Sequence, residues 1–207
     1  MTRDIWQQSL DSFLEATASA TPTPGGGSVA MVSGTLGLGL VLMALNVTAR
    51  GKDAPDISDL ISTTEEMLSE MRQAPKADID AFDALMAAYR LPKTSDEEKK
   101  VRRAAIDAAT AGATKTPIDA ADLCARALEL AVEASAQAKP SILSDVEAGA
   151  LLLRSAGEGV LLNVDINLPA LAEGPERDHF RSERLRLAAR LATLGAAVHD
   201  ALKARAA

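Results

Sequence analysis

The chain has 207 residues, of which only 2 % are aromatic, and it is rich in alanine and leucine, a composition that favours one all-helical domain over residues 1–207. Its net charge of −7, with basic residues spread along the chain, argues against nucleic acid and membranes as partners. The single Cys124 excludes an internal disulfide and a cysteine-based zinc site and agrees with a cytoplasmic location.

The first predicted helix covers residues 29–47, a stretch without a charged residue. It follows Thr21-Pro22-Thr23-Pro24-Gly25-Gly26-Gly27-Ser28, in which Ser28 is placed to cap the helix. Unpaired N–H groups at such a helix start favour binding of a ligand carboxylate or carbonyl, and a flexible linker is the alternative. The candidate binding residues at this junction are therefore Pro24, Gly25, Gly26, Gly27 and Ser28.

The length of this helix is close to that of a membrane span. Its glycine, serine and threonine content and the lack of preceding basic residues favour a buried central helix instead. Asn46 and Thr48 lie at its end, where they either line a cavity or cap the helix.

Six further helices are predicted from apolar residues at helical spacing and from the residues between those runs. Ser95 with Glu98, and Ser144 with Glu147, have the spacing of capping boxes. Thr116-Pro117 has the pattern of an N-cap followed by proline at the first helical position. The predicted helices cover residues 57–71, 76–90, 99–111, 116–138, 144 to about 168, and 176–205. The expected architecture is a bundle of about seven helices.

The helix over residues 76–90 carries the sharpest chemical signal. Helical spacing places Asp78 within an apolar arc, next to Phe82 and Leu85, whereas Asp80 is directed to the opposite side. A carboxylate on the core-facing side of a helix is expected to have a hydrogen-bonding or ionic partner or a functional role, because burying it unpaired costs free energy. Asp78 is therefore a candidate acid–base or cation-stabilising group in a pocket, the alternative being a first-turn aspartate favoured by the helix dipole.

Other polar residues admit two interpretations each. Asn163 and Asn167 are four residues apart and share a helix face, so they either supply paired amides to a site or mark a fraying helix end. Ser144-Asp145 is interpreted first as a cap and a first-turn charge, and second as a ligand contact. We find no metal-binding or cofactor-binding motif, so we expect no metal and no cofactor, and any chemistry must use carboxylates, amides and hydroxyls.

Taken together, these segments resemble the cyclodeaminase/cyclohydrolase family over nearly the whole chain, from about residue 12 to residue 203. The matching motifs, in chain order, are Ser12-Phe13-Leu14, Pro22-Thr23-Pro24-Gly25-Gly26-Gly27-Ser28, Asn46-Val47-Thr48, Asp78-Ile79-Asp80-Ala81-Phe82, Tyr89-Arg90-Leu91-Pro92-Lys93, Thr116-Pro117, Ser144-Asp145 and Asn163-Val164-Asp165-Ile166-Asn167. The proline–glycine motif joined to the aspartate helix is the most specific of them.

This family includes bacterial methenyltetrahydrofolate cyclohydrolases and the formimidoyltetrahydrofolate cyclodeaminase domain of a bifunctional enzyme. The resemblance implies an all-α bundle that forms a homodimer, with a folate substrate bound near the subunit interface and the catalytic aspartate at Asp78. It places the substrate contacts at the glycine junction, Asn46, Thr48, Phe82, Ser144, Asp145, Asn163 and Asn167. We also expect Asn163 and Asn167 to reach a site whose aspartate comes from the partner chain.

Two departures from the family pattern concern the substrate. The stretch from Arg50 to Pro55 lacks the aromatic residue that usually follows Asn-x-Thr, and Pro140, Ser141 and Leu143 replace asparagines that are common before Ser-Asp. The predicted function is hydrolysis of 5,10-methenyltetrahydrofolate to 10-formyltetrahydrofolate. The alternatives are a cyclodeaminase, an enzyme acting on another cyclic amidine, and a helical interaction module in which Asp78 is merely structural.

Overall fold

A computed structural model describes residues 4–50 and 54–206. Within these ranges the chain forms seven α-helices and three short 3-10 turns, without a β-strand. The α-helices are α1 (Leu10–Thr17), α2 (Gly26–Thr48), α3 (Ser58–Met71), α4 (Ala74–Tyr89), α5 (Asp96–Gln137), α6 (Leu143–Asn167) and α7 (Pro175–Ala206). The prediction of an all-helical protein is confirmed.

The number of helices agrees with the prediction only because two errors compensate. The short helix α1, which begins after its N-cap Ser9, was not predicted. The two helices predicted over residues 99–111 and 116–138 are one continuous helix, α5, with Pro117 in its interior. The Thr116 hydroxyl does not cap a helix start but donates a hydrogen bond to Gly112 O at 3.0 Å.

Besides Thr116, capping residues were predicted correctly at one helix start and wrongly at two others. The capping box of Ser95 and Glu98 is present at the start of α5. Ser28 does not cap α2, because the helix already begins at Gly26 and Gly25 occupies the cap position. The predicted box of Ser144 and Glu147 is also wrong: α6 begins without a side-chain cap, and Glu147 Oε1 lies 2.8 Å from His199 Nδ1 on α7 instead.

Helix α2 runs through the middle of the bundle and packs antiparallel against α6. Their backbones approach so closely that a Cβ added at Gly37 would lie 2.7 Å from Gly149 O, and glycine is therefore required at this crossing. Within the described residues α2 is the one helix long and apolar enough to cross a membrane, but 56 % of its most apolar window is buried in the bundle. This burial is typical of the core helix that the sequence predicted.

Cys124 lies in the core with none of its surface exposed, and burial raises the pKa of its thiol from 9.0 to about 12. Since the thiolate is the nucleophile, we expect no reaction of the folded protein with an aromatic disulfide reagent at pH 8 and one equivalent of reaction after unfolding in guanidinium chloride. Rapid stoichiometric reaction of the folded protein would contradict this prediction.

The same thiol makes stability depend on pH in the alkaline range. The unfolded thiol loses its proton above pH 9 whereas the folded one keeps it, so the stabilisation is complete below pH 9 and is lost as the pH rises towards 12. Chemical denaturation between pH 8 and pH 10.5 should therefore show a fall in the free energy of unfolding that is shallower in Cys124→Ala. Identical pH profiles for the two proteins would exclude this contribution.

Candidate active site

A pocket of about 280 Å³ opens where the start of α2, the helix α4, the middle of α5 and the end of α6 meet. Asp78 is its one charged side chain among the described residues that line it. The other lining residues are Pro22, Thr23, Gly25, Gly26, Gly27, Ala81, Phe82, Leu85, Ala113, Thr116, Pro117, Asn163, Ile166 and Asn167. The pocket is thus a largely apolar cleft with one negative charge.

The Asp78 carboxylate is held from two sides. Its Oδ2 accepts a hydrogen bond of 2.7 Å from the hydroxyl of Ser28, which is fully buried. Its Oδ1 lies 3.5 Å from Asn163 Nδ2, at the outer limit of a hydrogen bond. Asp78 itself is half-buried, so its oxygens are fixed in direction while the carboxylate still borders the pocket.

The start of α2 adds an electrostatic contribution. The first backbone hydrogen bond of this helix runs from Val29 N to Gly25 O, at 3.0 Å, so the N–H groups of Gly26, Gly27 and Ser28 have no acceptor within the helix. No side chain caps this end. The positive end of the helix dipole therefore lies next to the Asp78 carboxylate.

Gly27 is what allows the carboxylate to approach the helix start. A Cβ added at Gly27 would lie 2.6 Å from Asp78 Cγ and 2.7 Å from Asn163 Nδ2. At Gly26, one residue earlier, an added Cβ would meet no atom within 4 Å. Of these two neighbouring positions, only position 27 requires glycine.

The structure brings most of the predicted site residues together in one chain. Gly25, Gly26, Gly27, Asp78, Phe82, Asn163 and Asn167 line the pocket, and Ser28 contacts it through Asp78. Pro24 precedes Gly25 in the turn that leads into the pocket. The expectation that Asn163 serves the aspartate of a partner chain is wrong, because Asn163 contacts Asp78 of its own chain.

Four predicted site residues lie elsewhere: Asn46, Thr48, Ser144 and Asp145 are at the opposite end of the α2–α6 pair. Gly26 and Asn46 are 20 positions apart on α2, which separates the two ends by about 30 Å. Thr48 is used internally, since its hydroxyl donates to Ala44 O at 2.8 Å and accepts from Lys139 N at 3.0 Å. Of the stretch that lacks the family aromatic, residues 51–53 lie outside the described residues.

The remaining lining residues were not predicted as site residues: Pro22, Thr23, Ala81, Leu85, Ala113, Thr116, Pro117 and Ile166. Thr116-Pro117 was interpreted as a helix start, and the signal against that interpretation was the alanine-rich helical pattern continuing on both sides of the proline. The described residues hold no group of three or more His, Cys, Asp or Glu side chains arranged to bind a metal ion.

The fold and the pocket define an all-helical protein with a single carboxylate, oriented by a hydroxyl, an amide and a helix start, in a largely apolar cleft. Such an arrangement is suited to holding a cationic heterocycle and to moving one proton. Comparison with known sequences is consistent with this class: the family model described as Formiminotransferase-cyclodeaminase matches residues 9–185. The chain belongs to this family.

Individual relatives represent both activities of the family. The chain is 31 % identical to a methenyltetrahydrofolate cyclohydrolase from Methylorubrum extorquens, with 96 % of this chain and 97 % of the relative covered. It is 27 % identical to a formimidoyltransferase-cyclodeaminase from Rattus norvegicus, covering 98 % of this chain but only 38 % of that protein. The crystal structure of formiminotetrahydrofolate cyclodeaminase from Thermotoga maritima has the same fold, with a TM-score of 0.84, 23 % identity and coverage of 98 % of this chain and 100 % of that one.

Proposed function

We propose that the protein is a methenyltetrahydrofolate cyclohydrolase that converts 5,10-methenyltetrahydrofolate and water into 10-formyltetrahydrofolate. The observation that carries the proposal is the Asp78 carboxylate, the one charge among the described residues that line the pocket, held by Ser28 at 2.7 Å beside an uncapped helix start. The similarity to the Methylorubrum extorquens cyclohydrolase over nearly the full length of both chains supports the choice of reaction.

The chemistry of this substrate needs a negatively charged group that can take up and return one proton. The methenyl bridge is part of a cationic amidinium ring, which a carboxylate stabilises in an apolar pocket. Asp78 accepts a proton from the water that adds to the bridging carbon. It then returns this proton to N5 as the bond from N5 to that carbon breaks. The added hydroxyl loses its own proton to solvent as its C=O bond forms, which leaves the formyl group on N10.

In this mechanism Ser28 and Asn163 position the Asp78 carboxylate. A carboxylate can rotate about its bond to Cβ, and the Ser28 hydroxyl on Oδ2 holds one oxygen in place. The other oxygen, Oδ1, has only the long 3.5 Å contact with Asn163 Nδ2 and is therefore the oxygen that water and substrate can reach. Folate is the substrate in this proposal, and the reaction uses no separate cofactor.

A cyclodeaminase is the second candidate, favoured by the formimidoyltransferase-cyclodeaminase relatives. That reaction closes the same ring and releases ammonia, so it also needs one proton transferred near the bridging carbon. The same carboxylate serves both reactions, and the two candidates differ in the substrate that is consumed.

One pair of assays tests the proposal. Loss of the near-ultraviolet absorbance of methenyltetrahydrofolate, measured with and without protein, should be accelerated by the protein, whereas formimidoyltetrahydrofolate should release no ammonia. The reverse result would identify a cyclodeaminase. A protein inert in both assays, and not stabilised thermally by tetrahydrofolate, would support the interaction module instead.

We further propose that the protein forms a homodimer through α2 and α6. No charged residue lies on α2, where Leu36 is 55 % exposed, and the neighbouring helix α6 exposes Leu151 to 60 % and Leu162 to 59 %. Exposed leucines on two neighbouring helices are typical of a protein–protein interface. At Gly39, near the middle of α2, an added Cβ would meet no atom within 4 Å, which leaves room for close approach of a second copy.

The predicted site residues at the two ends of α2 favour a second copy of this chain as the partner. A two-fold axis crossing the middle of α2 would place the two α2 helices antiparallel. The Asn46 and Asp145 end of one subunit would then lie beside the Asp78 pocket of the other. The residues that are distant from the pocket within one chain would thereby join it across the interface.

Leu36→Glu should convert the dimer into a folded monomer with little activity, because Leu36 is exposed in the single chain and its replacement removes no core contact. Light scattering and circular dichroism check the size and the fold. Leu185→Glu on α7 is the matched control, since Leu185 is 61 % exposed and should leave the dimer intact. A wild-type protein that is monomeric and fully active at micromolar concentration would end the dimer proposal.

Mixed dimers test whether the two subunits share a site. Because Asp78 and Asn163 belong to the same pocket, variants at those two positions cannot complement each other. Asp78→Asn mixed with Asn46→Ala should regain activity, since one of the two pockets in the mixed dimer combines an intact Asp78 with an intact Asn46 of the partner. No recovery would show that Asn46 has no part in the neighbouring pocket.

A further inference from the structure

Pro117 interrupts the backbone hydrogen bonds of α5 beside the pocket. Proline has no backbone N–H, so the carbonyl of Ala113, four residues earlier, has no helical donor. Asn167, the last residue of α6, supplies a donor in its place, because its Nδ2 lies 2.8 Å from Ala113 O. Ala113, Pro117 and Asn167 all line the pocket that contains Asp78.

This hydrogen bond sets the orientation of the Asn167 amide. With Nδ2 bound to Ala113 O, the amide cannot rotate freely, and Oδ1 accepts no hydrogen bond from any of the described residues. Asn163, one helical turn earlier, likewise directs its Nδ2 to the Asp78 carboxylate. The pocket therefore uses the donors of both amides and leaves their two oxygens as acceptors on one face of α6.

We propose that Asn167 is a specificity residue, positioned by the carbonyl that Pro117 leaves free, and that its Oδ1 accepts a hydrogen bond from the exocyclic amino group of the pterin. The identity of this ligand rests on the proposed function. The pyrimidine edge of a pterin carries a ring N–H and an exocyclic amino group. A site that supplies an acceptor to such a group discriminates strongly against analogues that lack it.

The positioning part of the proposal is tested by stability alone. In the wild-type background Asn167→Ala should lower Tm by about 2–4 °C, because Ala113 O loses its donor. In Pro117→Ala, where the new backbone N–H of residue 117 can bond to Ala113 O, the same change should lower Tm by less than about 1 °C. Equal losses in the two backgrounds would overturn the positioning role.

Thr116→Val is the matched control for this pair of backgrounds. This substitution removes the side-chain hydrogen bond from Thr116 to the neighbouring carbonyl, Gly112 O, at 3.0 Å. Gly112 O keeps its backbone donor, the N–H of residue 116, whether or not residue 117 is proline. The effect of this substitution on Tm should be the same with and without Pro117. If the Tm effect of Thr116→Val depended on Pro117 as strongly as that of Asn167→Ala, the proline would act generally on α5. That result would overturn the specific link between Pro117 and the Asn167 hydrogen bond.

The specificity part is tested by kinetics and by ligand analogues. Asn167→Ala should raise KM for methenyltetrahydrofolate at least about tenfold and change kcat by less than about threefold. A tetrahydropterin analogue without the exocyclic amino group should bind the wild type at least about tenfold more weakly than tetrahydropterin but bind Asn167→Ala with nearly equal affinity. Thr63→Val on α3, remote from the pocket, should change neither quantity.

The outcomes separate this inference from the proposed function. An active wild type whose Asn167→Ala variant keeps its KM but loses Tm would leave Asn167 purely structural and would overturn the specificity role. A wild type that neither hydrolyses methenyltetrahydrofolate nor binds tetrahydropterin would overturn the proposed function together with the ligand assignment. In that case the comparison of Tm values would still decide the positioning role.

Discussion

Asp78→Asn should lower the turnover of methenyltetrahydrofolate at least a hundredfold, about the scale of a lost general base, while the protein stays folded. Asparagine has nearly the same shape as aspartate and can still accept a hydrogen bond from Ser28, so the packing around α4 should be preserved. What is lost is the charge opposite the amidinium and the group that accepts the proton. Steady-state kinetics and the melting temperature measure the two effects separately.

Asp80→Asn is the control for this experiment. Asp80 lies two residues along the same helix but is exposed and forms an ion pair with Lys76, of a kind that contributes only about 0.3–0.5 kcal/mol. Its replacement should leave both turnover and Tm nearly unchanged. Normal turnover in Asp78→Asn, or an equal loss in both variants, would refute the catalytic assignment.

Gly27→Ala should also cause a large loss, of about a hundredfold in kcat/KM, through geometry rather than charge. The added methyl group would lie 2.6 Å from Asp78 Cγ, so the carboxylate has to leave its position beside the start of α2. A displacement of about 1 Å at a catalytic group is enough for a loss of this size. Tm should fall little, because alanine favours the helix over glycine by about 1 kcal/mol.

Gly26→Ala provides the comparison one residue away. Because an added Cβ there meets no atom within 4 Å, we expect kcat/KM within about threefold of the wild type. If Gly27→Ala unfolds the protein, circular dichroism will reveal it, and the close approach would then be needed for folding. Activity retained in Gly27→Ala would show that the position of the Asp78 carboxylate is not critical.

Asp78 could be singled out from the sequence because its signal is local. Its place among apolar residues at helical spacing, with Asp80 on the opposite side, depends only on the geometry of one helix. The structure agrees, with Asp78 half-buried and Asp80 exposed. The helix ends before Pro92 and Pro140 were likewise predicted correctly, because proline cannot continue the preceding helix, whereas Pro75 lies in the first turn of α4.

The wrong predictions concern residues whose hydrogen-bond partners, or those of the neighbouring backbone, are distant in the sequence. A proline normally ends a helix. Helix α5 continues through Pro117, and Asn167, 50 residues later, donates a hydrogen bond to the Ala113 carbonyl that the proline leaves without a backbone donor. Glu147 has the spacing of a capping box, yet His199 on α7 competes for its carboxylate. Serine is a common capping residue, but the Ser28 hydroxyl donates its hydrogen bond to Asp78. None of these partners is adjacent in sequence, so spacing alone could not reveal them.

The carboxylate site is assembled from three helices that meet only in the complete bundle. Ser28 precedes Asp78 by 50 residues, and Asn163 follows it by 85. No fragment that ends before α6 retains both partners of the carboxylate, and a gene split within α5 would have to reunite its halves before the pocket formed. Catalytic activity would therefore serve as a reporter of cooperative assembly, and it would disappear in truncated chains even where most of their helices persist.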